Sequence, residues 1–71
     1  MAEQDTTKAL ALLDEAPAFI SVTRAATILG FSRASAYRYA AAGELPTKRF
    51  GGRVYVVTAK LRELISGDEA A

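Results

Sequence analysis

Two short helices are predicted back to back near the centre of the chain, each with its own start and stop signal. Ser21 precedes the first helix and Gly30 ends it, whereas Ser32 precedes the second and Gly43 ends it. A serine at the N-cap accepts an amide proton from the first turn, and glycine adopts the left-handed conformation that commonly closes a helix. Only Phe31 separates the stop at Gly30 from the cap at Ser32, so the two helices must meet in a tight turn.

Small apolar residues line the first of these helices at helical spacing. The residues concerned are Val22, Ala25, Ala26, Ile28 and Leu29. Alanine side chains let a second helix pass close by, and the connection between the helices is very short. This spacing is typical of a helix-turn-helix motif.

A β-hairpin is predicted after the second helix. Pro46 prevents that helix from continuing, and residues 47–50 and 53–57 are rich in aromatic and β-branched side chains. Gly51-Gly52 lies between them and tolerates the positive φ angles of a two-residue hairpin turn. We expect Phe50, Val54 and Val56 to face the core or the last helix at alternating positions, and which of the alternating sets points inward stays open.

A last helix is predicted to begin at Thr58, which serves as its cap, and to stop at Ser66-Gly67. The buried residues of this helix are predicted to be Leu61, Leu64 and Ile65. The expected fold is therefore mainly α with a small β-hairpin. The domain is assigned to residues 19–66 and a flexible tail to residues 67–71.

The first 18 residues are acidic and are interpreted as an arm or a short, loosely packed helix. Asp5 or Thr6 can cap a helix that runs through Asp14, with Leu10 and Leu13 on one side. Two interpretations of this segment stay open besides an ordinary flexible terminus, which is the favoured one. It can contact another protein, or it can guard the basic surface electrostatically.

The net charge of +1 conceals a strongly basic centre. Residues 19–65 contain eight basic and two acidic side chains, a net charge of +6. Residues 1–18 carry −3 and the tail carries −2, which together with the centre restore the total of +1. Such a centre favours a polyanionic partner. The alternative is a solvated basic face without any ligand.

Composition excludes several classes of function. The chain has no cysteine and no histidine, so we expect no disulfide, no metal site and no cofactor. It shows no paired carboxylates, nucleophile–base set or phosphate-cradling glycine loop, and we expect neither enzymatic activity nor a small-molecule ligand. No apolar run approaches the roughly 20 residues of a membrane span, and the polar start is unlike a signal peptide. A cytoplasmic, nucleoid-associated location is expected.

The second helix offers one side to a ligand. At 100° per residue, Ala36, Tyr39 and Ala40 share the side that suits packing. The opposite side carries the candidate DNA contacts Arg33, Ala34, Tyr37 and Arg38. Arginine can reach guanine edges or phosphates, and a tyrosine hydroxyl can donate to phosphate.

The hairpin supplies a second set of candidate DNA contacts, which are Lys48, Arg49, Gly52 and Arg53. An arginine beside a glycine tip suits the negative potential of a narrow minor groove. The same charges can also protect an edge strand from aggregation, and the two roles do not compete. Further candidates for phosphate contact are Ser32, Arg24 and Tyr39. A surface role is equally open for Arg24, and core packing is favoured for Tyr39.

The chain resembles the excisionase and MerR-like winged helix-turn-helix domains over about two-thirds of its length. The motifs that carry the resemblance are SVTRAATILGFSR at residues 21–33, AYRY at 36–39, GELP at 43–46 and RFGGR at 49–53. The resemblance implies a recognition helix bearing Arg33, Tyr37 and Arg38. It also implies a wing tipped by Gly52 and Arg53, and double-stranded DNA as the partner.

Within this resemblance an excisionase, or recombination directionality factor, is the favoured role, because the chain ends soon after Ile65 whereas MerR-type regulators continue into a long dimerisation helix. Excisionases line up as several copies beside an attachment site, bend the DNA and help an integrase to excise. A small MerR-like transcriptional regulator is the alternative. A protein-interaction module that docks through Leu10, Leu13 and the hairpin edge is the alternative of another class.

Overall fold

The computed structural model describes the backbone of residues 2–70 and the side chains of residues 6–67. Within this range the chain forms helices α1 (Ala2–Asp14), α2 (Val22–Leu29), α3 (Arg33–Ala41) and α4 (Thr58–Ala70), and strands β1 (Phe19–Ser21), β2 (Thr47–Phe50) and β3 (Arg53–Val57). The architecture is mainly helical with a small antiparallel sheet, which confirms the predicted winged helix-turn-helix fold. None of the helices in the described range is long and apolar enough to cross a membrane.

The helix-turn-helix unit is built by the predicted caps. Ser21 Oγ accepts the Arg24 amide proton at 2.9 Å, and Ser32 Oγ accepts that of Ser35 at 3.1 Å. Gly30 has φ +82°, a conformation that costs glycine little because it has no Cβ. The amides of Gly30 and Phe31 both donate to the Ala26 carbonyl, at 2.8 and 2.9 Å. These bonds satisfy backbone groups at the end of α2 and turn the chain at once into α3.

Alanines bring α2 and α3 together, as the sequence predicts. Ala25 and Ala36 are fully buried and Ala26 almost so. Side chains of this size allow the two helix backbones to approach closely. The side of α3 that carries Ala36 is therefore fixed against α2, and the opposite side is turned outward.

The sheet has the order β1–β3–β2, with both pairs antiparallel. Phe50 pairs with Arg53 across the predicted two-residue turn, where Gly51 and Gly52 have φ angles of +55° and +85°. Positive φ at both central residues matches the right-handed twist of a hairpin. Strand β1 was not predicted, because its three residues pair only with the distant strand β3.

The prediction that Phe50 faces the core with Val54 and Val56 is wrong. Val56 is buried and Val54 packs against the core, whereas Phe50 is 45% exposed. The register explains the difference: Phe50 lies opposite Arg53, one residue out of phase with Val54, and successive side chains alternate between faces. The Phe50 ring instead contacts those of Phe19 and Tyr55 on the outer face, with centroids 4.9 and 6.1 Å apart.

Residues 2–14 form a helix, one of the two alternatives for the N-terminal segment, but this helix is not loosely packed. It begins at Ala2, before the predicted caps Asp5 and Thr6, and the Asp5 side chain lies outside the described residues. Ala9 and Leu13 are buried in the core, with Leu13 only 2% exposed. Leu10, expected beside Leu13, is only partly buried and is not part of the core cluster.

Helix α4 also differs from its prediction in two ways. It continues through Ser66 and Gly67 to Ala70, so the predicted stop is wrong; the Ser66 hydroxyl donates to the Arg62 carbonyl and does not end the helix. Leu61 is buried and Ile65 packs against the core, but Leu64 is 47% exposed. Of the predicted tail, residue 71 lies outside the described part of the chain.

Thr58, predicted as a cap, is buried, and its hydroxyl donates to the Pro17 carbonyl. Its backbone amide donates to the Ala18 carbonyl at 2.9 Å. Both bonds join the start of α4 to the segment that links α1 to β1. They hold the N-terminal helix and the sheet in one fold.

Candidate nucleic-acid interface

The exposed side of α3, defined by Arg33, Ala34, Tyr37 and Arg38, is set by the burial of Ala36 on the other side. All four residues are exposed, and Tyr37 exposes 51% of its surface although it is a large ring. Ala34 has a small side chain, so the helix surface protrudes little between the two arginines. Its chemistry consists of guanidinium donors, one phenol and the smooth surface of an alanine, which suits the wall of a DNA groove.

A hydrogen-bonded chain of three side chains runs along the exposed part of α3 from its N-terminus. Ser32 Oγ donates to Ser35 Oγ at 3.0 Å, and Ser35 Oγ accepts from Arg38 Nη2 at 3.4 Å. The three residues are spaced three apart, so they follow one another along the helix surface. Ser32 and Arg38 are among the candidates predicted from the sequence, whereas Ser35 is not. Its spacing from the cap was the signal that could have revealed it.

Tyr39 lies apart from Tyr37. Its ring packs against the core and meets Phe31 edge to face, with the centroids 5.1 Å apart. This placement agrees with core packing, the favoured alternative for Tyr39. A contact between its hydroxyl and a phosphate stays a prediction.

A short and well-anchored segment joins α3 to the hairpin. The Gly43 and Glu44 amides donate to the carbonyls of Ala40 and Tyr39, at 3.2 and 2.8 Å. This paired arrangement closes the helix and fixes the direction of the chain that leaves it. Leu45 is then buried at 5% exposure, and the Pro46 carbonyl accepts the Val57 amide proton at 2.9 Å. The hairpin therefore starts from a fixed position relative to α3.

The wing, defined as β2, β3 and the Gly51-Gly52 turn, carries the three predicted basic side chains on two different faces. Lys48 lies opposite Tyr55 and Arg53 opposite Phe50, so both belong to the outer face. Arg49 lies opposite Val54 and therefore belongs to the inner face of the sheet, the face on which Val56 is buried. All three are exposed. Lys48 and Arg49 are predicted together as DNA contacts of the hairpin, but the pairing register places them on opposite faces.

The tip of the wing is open. A Cβ built on Gly52 would meet no atom within 4 Å. The backbone there is accessible from outside, as a close approach to a DNA strand requires. Arg53 follows directly and is exposed.

An ion pair among the described side chains lies on the α1–α4 side of the fold and not on the candidate interface. Arg62 of α4 forms an ion pair with Asp14 of α1. Among side chains 6–67, no ion pair involves the basic residues of α2, α3 or the wing, which are Arg24, Arg33, Arg38, Lys48, Arg49 and Arg53. Arg24 is exposed in the first turn of α2, where its amide serves the Ser21 cap. The same part of the chain brings together no group of three potential metal ligands.

Comparison with known protein families gives a match for the part of the chain that contains both helices of the helix-turn-helix and the wing. A family model described as a helix-turn-helix domain matches residues 19–68, a range that includes α2, α3 and the wing. Comparisons with curated proteins and with solved structures gave no significant match. Since the family match covers more than half of the chain, the protein belongs to the helix-turn-helix domain family and its partner is double-stranded DNA.

Proposed function

We propose that the chain binds DNA sequence-specifically, with the exposed side of α3 in a major groove and the wing in the adjacent minor groove. The observation that carries this proposal is the distribution of charge. The basic side chains of α3 and of the wing are exposed and form no ion pair with any described side chain. Only residues 42–46 connect the two elements. Members of helix-turn-helix families typically bind without catalysing a reaction, which agrees with the absence of a catalytic motif in the sequence.

Each element has its own role in the proposed complex. Arg38 or Arg33 donates to guanine O6 and N7 or to phosphate, and the Tyr37 hydroxyl donates to phosphate. Ala34 lets the helix approach the base edges. Arg53 enters the minor groove, where the potential is most negative, and the Gly52 backbone passes close to a strand.

The biological role we propose is that of an excisionase. Several copies would lie side by side at an attachment site, bend it and favour excision by an integrase. The resemblance of residues 21–33, 36–39, 43–46 and 49–53 to excisionase domains supports this role. A small transcriptional regulator would use the same surface, and DNA bending separates the two.

The first experiment measures binding to genomic fragments that flank the gene, by footprinting and gel shift. We expect Arg38→Ala to weaken binding by about 1–3 kcal/mol if Arg38 reads a base edge, and Arg53→Ala to weaken it as well. The matched control is Arg62→Ala, which removes an arginine that is paired with Asp14 on the α1–α4 side. Unchanged affinity for both interface variants would refute the assigned surface.

Salt dependence distinguishes this proposal from a protein-interaction module. Binding through phosphates should weaken with salt, with a log–log slope of about −0.9 for each phosphate neutralised. A module that docks another protein predicts no DNA binding at all.

DNA bending tests the role of the wing. We expect a circularly permuted set of fragments to show a smaller bend angle with Arg53→Ala than with the unaltered protein, because an arginine in the minor groove stabilises the deformed duplex. An identical bend angle for the two proteins would contradict a minor-groove position of Arg53.

A further inference from the structure

Ser35 occupies a position that connects the cap of α3 to its exposed side. Its amide donates to Ser32 Oγ at 3.1 Å, and its hydroxyl oxygen accepts from both Ser32 Oγ and Arg38 Nη2. Ser35 is partly buried, whereas Ser32 and Arg38 are exposed. The hydroxyl thus lies between the rigid first turn of the helix and a mobile type of side chain.

We propose that Ser35 is a positioning residue that holds the Arg38 guanidinium for base reading. The inference rests on the proposed function and deepens it, since it divides the labour between the two arginines of α3. Arg38 has a tether in the helix surface, and Arg33 has no hydrogen-bond or ion-pair partner among the described side chains. Arg38 therefore reads sequence, and Arg33 supplies phosphate attraction.

The tether leaves the recognition capacity of Arg38 intact. A guanidinium has five N–H donors, four of which form two parallel pairs that each include one Nη2 proton. One Nη2 proton directed at Ser35 engages one pair, so the other pair stays complete for the O6 and N7 atoms of a guanine. Holding the side chain in place beforehand also reduces the conformational entropy that binding must remove.

Loss of the hydrogen bond between Ser35 and Arg38 should reduce discrimination between DNA sequences rather than affinity for all duplexes. Loss of the tether should weaken binding to the preferred site, where Arg38 must adopt one geometry, more than binding to a site with another base pair at that position. Phosphate contacts stay unchanged, so the salt dependence of binding should not move. A merely structural role for Ser35 would instead lower affinity for every duplex alike.

The experiment uses the full chain and a duplex selected from a random-sequence pool by the unaltered protein, together with its single-base-pair variants. The central comparison is Ser35→Val against Ser35→Thr, two side chains of nearly the same shape that differ in the hydroxyl. We expect the valine variant to bind the selected duplex about three- to tenfold more weakly, the range for one hydrogen bond, and to lose discrimination at one base pair. The threonine variant should retain both.

Two controls keep the interpretation specific. Ser66→Ala removes a serine hydroxyl on α4 that bonds only within its own helix, and it should change neither affinity nor discrimination. In an Arg38→Ala background, Ser35→Val should have no further effect, because the group that it positions is gone.

The outcomes separate the two levels of the proposal. If the unaltered protein selects no sequence from the pool, sequence-specific binding fails and the role of Ser35 fails with it. If it selects a sequence but the valine and threonine variants discriminate equally well, only the role of Ser35 is overturned. An equal loss for every duplex, or a loss that persists without Arg38, also overturns it.

Discussion

Leu13→Ala tests whether α1 is part of the fold. Leu13 is 2% exposed and is among the largest fully buried side chains of the described residues. It lies in an acidic segment that sequence alone presents as an arm or a loosely packed helix, so sequence and structure give opposite expectations for this substitution. An arm would tolerate the change, and a core helix would not.

The size of the effect follows from the burial. The substitution removes three carbon groups, worth about 0.8 kcal/mol each in transfer from water. A cavity penalty adds to this, and we expect a loss of about 3 kcal/mol, within the roughly 2–5 kcal/mol measured for buried leucines. A domain of 71 residues has a free energy of unfolding of about 4–11 kcal/mol, so the loss is a large fraction of the total.

The assay is urea unfolding followed by circular dichroism at pH 7. With a slope of about 1 kcal/mol per molar urea for a domain of this size, the midpoint should fall by about 3 M. Leu10→Ala is the matched control on the same helix, because Leu10 is only partly buried and lies outside the core cluster. A loss below about 0.5 kcal/mol for Leu13→Ala, or equal losses for the two variants, would refute the packing of α1.

Two further substitutions test contacts that hold the interface elements and the sheet. Ala36→Leu should destabilise the fold by about 1–3 kcal/mol, because Ala36 is fully buried in the helix pair α2–α3 and a larger side chain would overpack this position. Thermal unfolding measures the loss, and an unchanged Tm would contradict the close packing. Thr58→Val keeps the shape of the side chain but removes the donor to the Pro17 carbonyl. We expect it to cost about 1 kcal/mol in urea unfolding, whereas a neutral result would show that water replaces this bond fully.

The helix-turn-helix and the hairpin turn could be predicted because their signals are local. A serine cap acts on an amide three residues away, and Gly30 or Gly51-Gly52 sets its own backbone angles. Such features depend little on the rest of the chain. The family match over residues 19–68 covers this same locally specified region.

The elements that sequence missed depend on distant partners. Strand β1 exists because Phe19, Ile20 and Ser21 pair with Val57, Val56 and Tyr55. No pattern within three residues can reveal a strand of this kind. The outward position of Phe50 likewise follows from the register across the turn, since an aromatic residue beside a valine-rich strand suggests burial until the pairing is known.

The residues of the candidate site could be predicted from the sequence, but the contacts and faces that group them could not. The outward positions of Arg33, Tyr37 and Arg38 follow from the helical period alone. The tether from Ser35 to Arg38 depends on a side-chain rotamer, and the division of Lys48 from Arg49 depends on strand register. Sequence therefore specifies which groups are available, and packing decides which of them act together.

The connection between α3 and the wing has consequences for the strength of DNA binding. The amides of Gly43 and Glu44, the buried side chain of Leu45 and the Pro46 carbonyl leave little freedom between the two elements. In the proposed complex, binding of one element in a groove holds the other at a high effective concentration near the next groove. The two sets of contacts then add their free energies without the entropy loss of ordering a flexible linker. In the proposed complex, the anchored connection therefore lets one short helix and one hairpin act together on the same duplex.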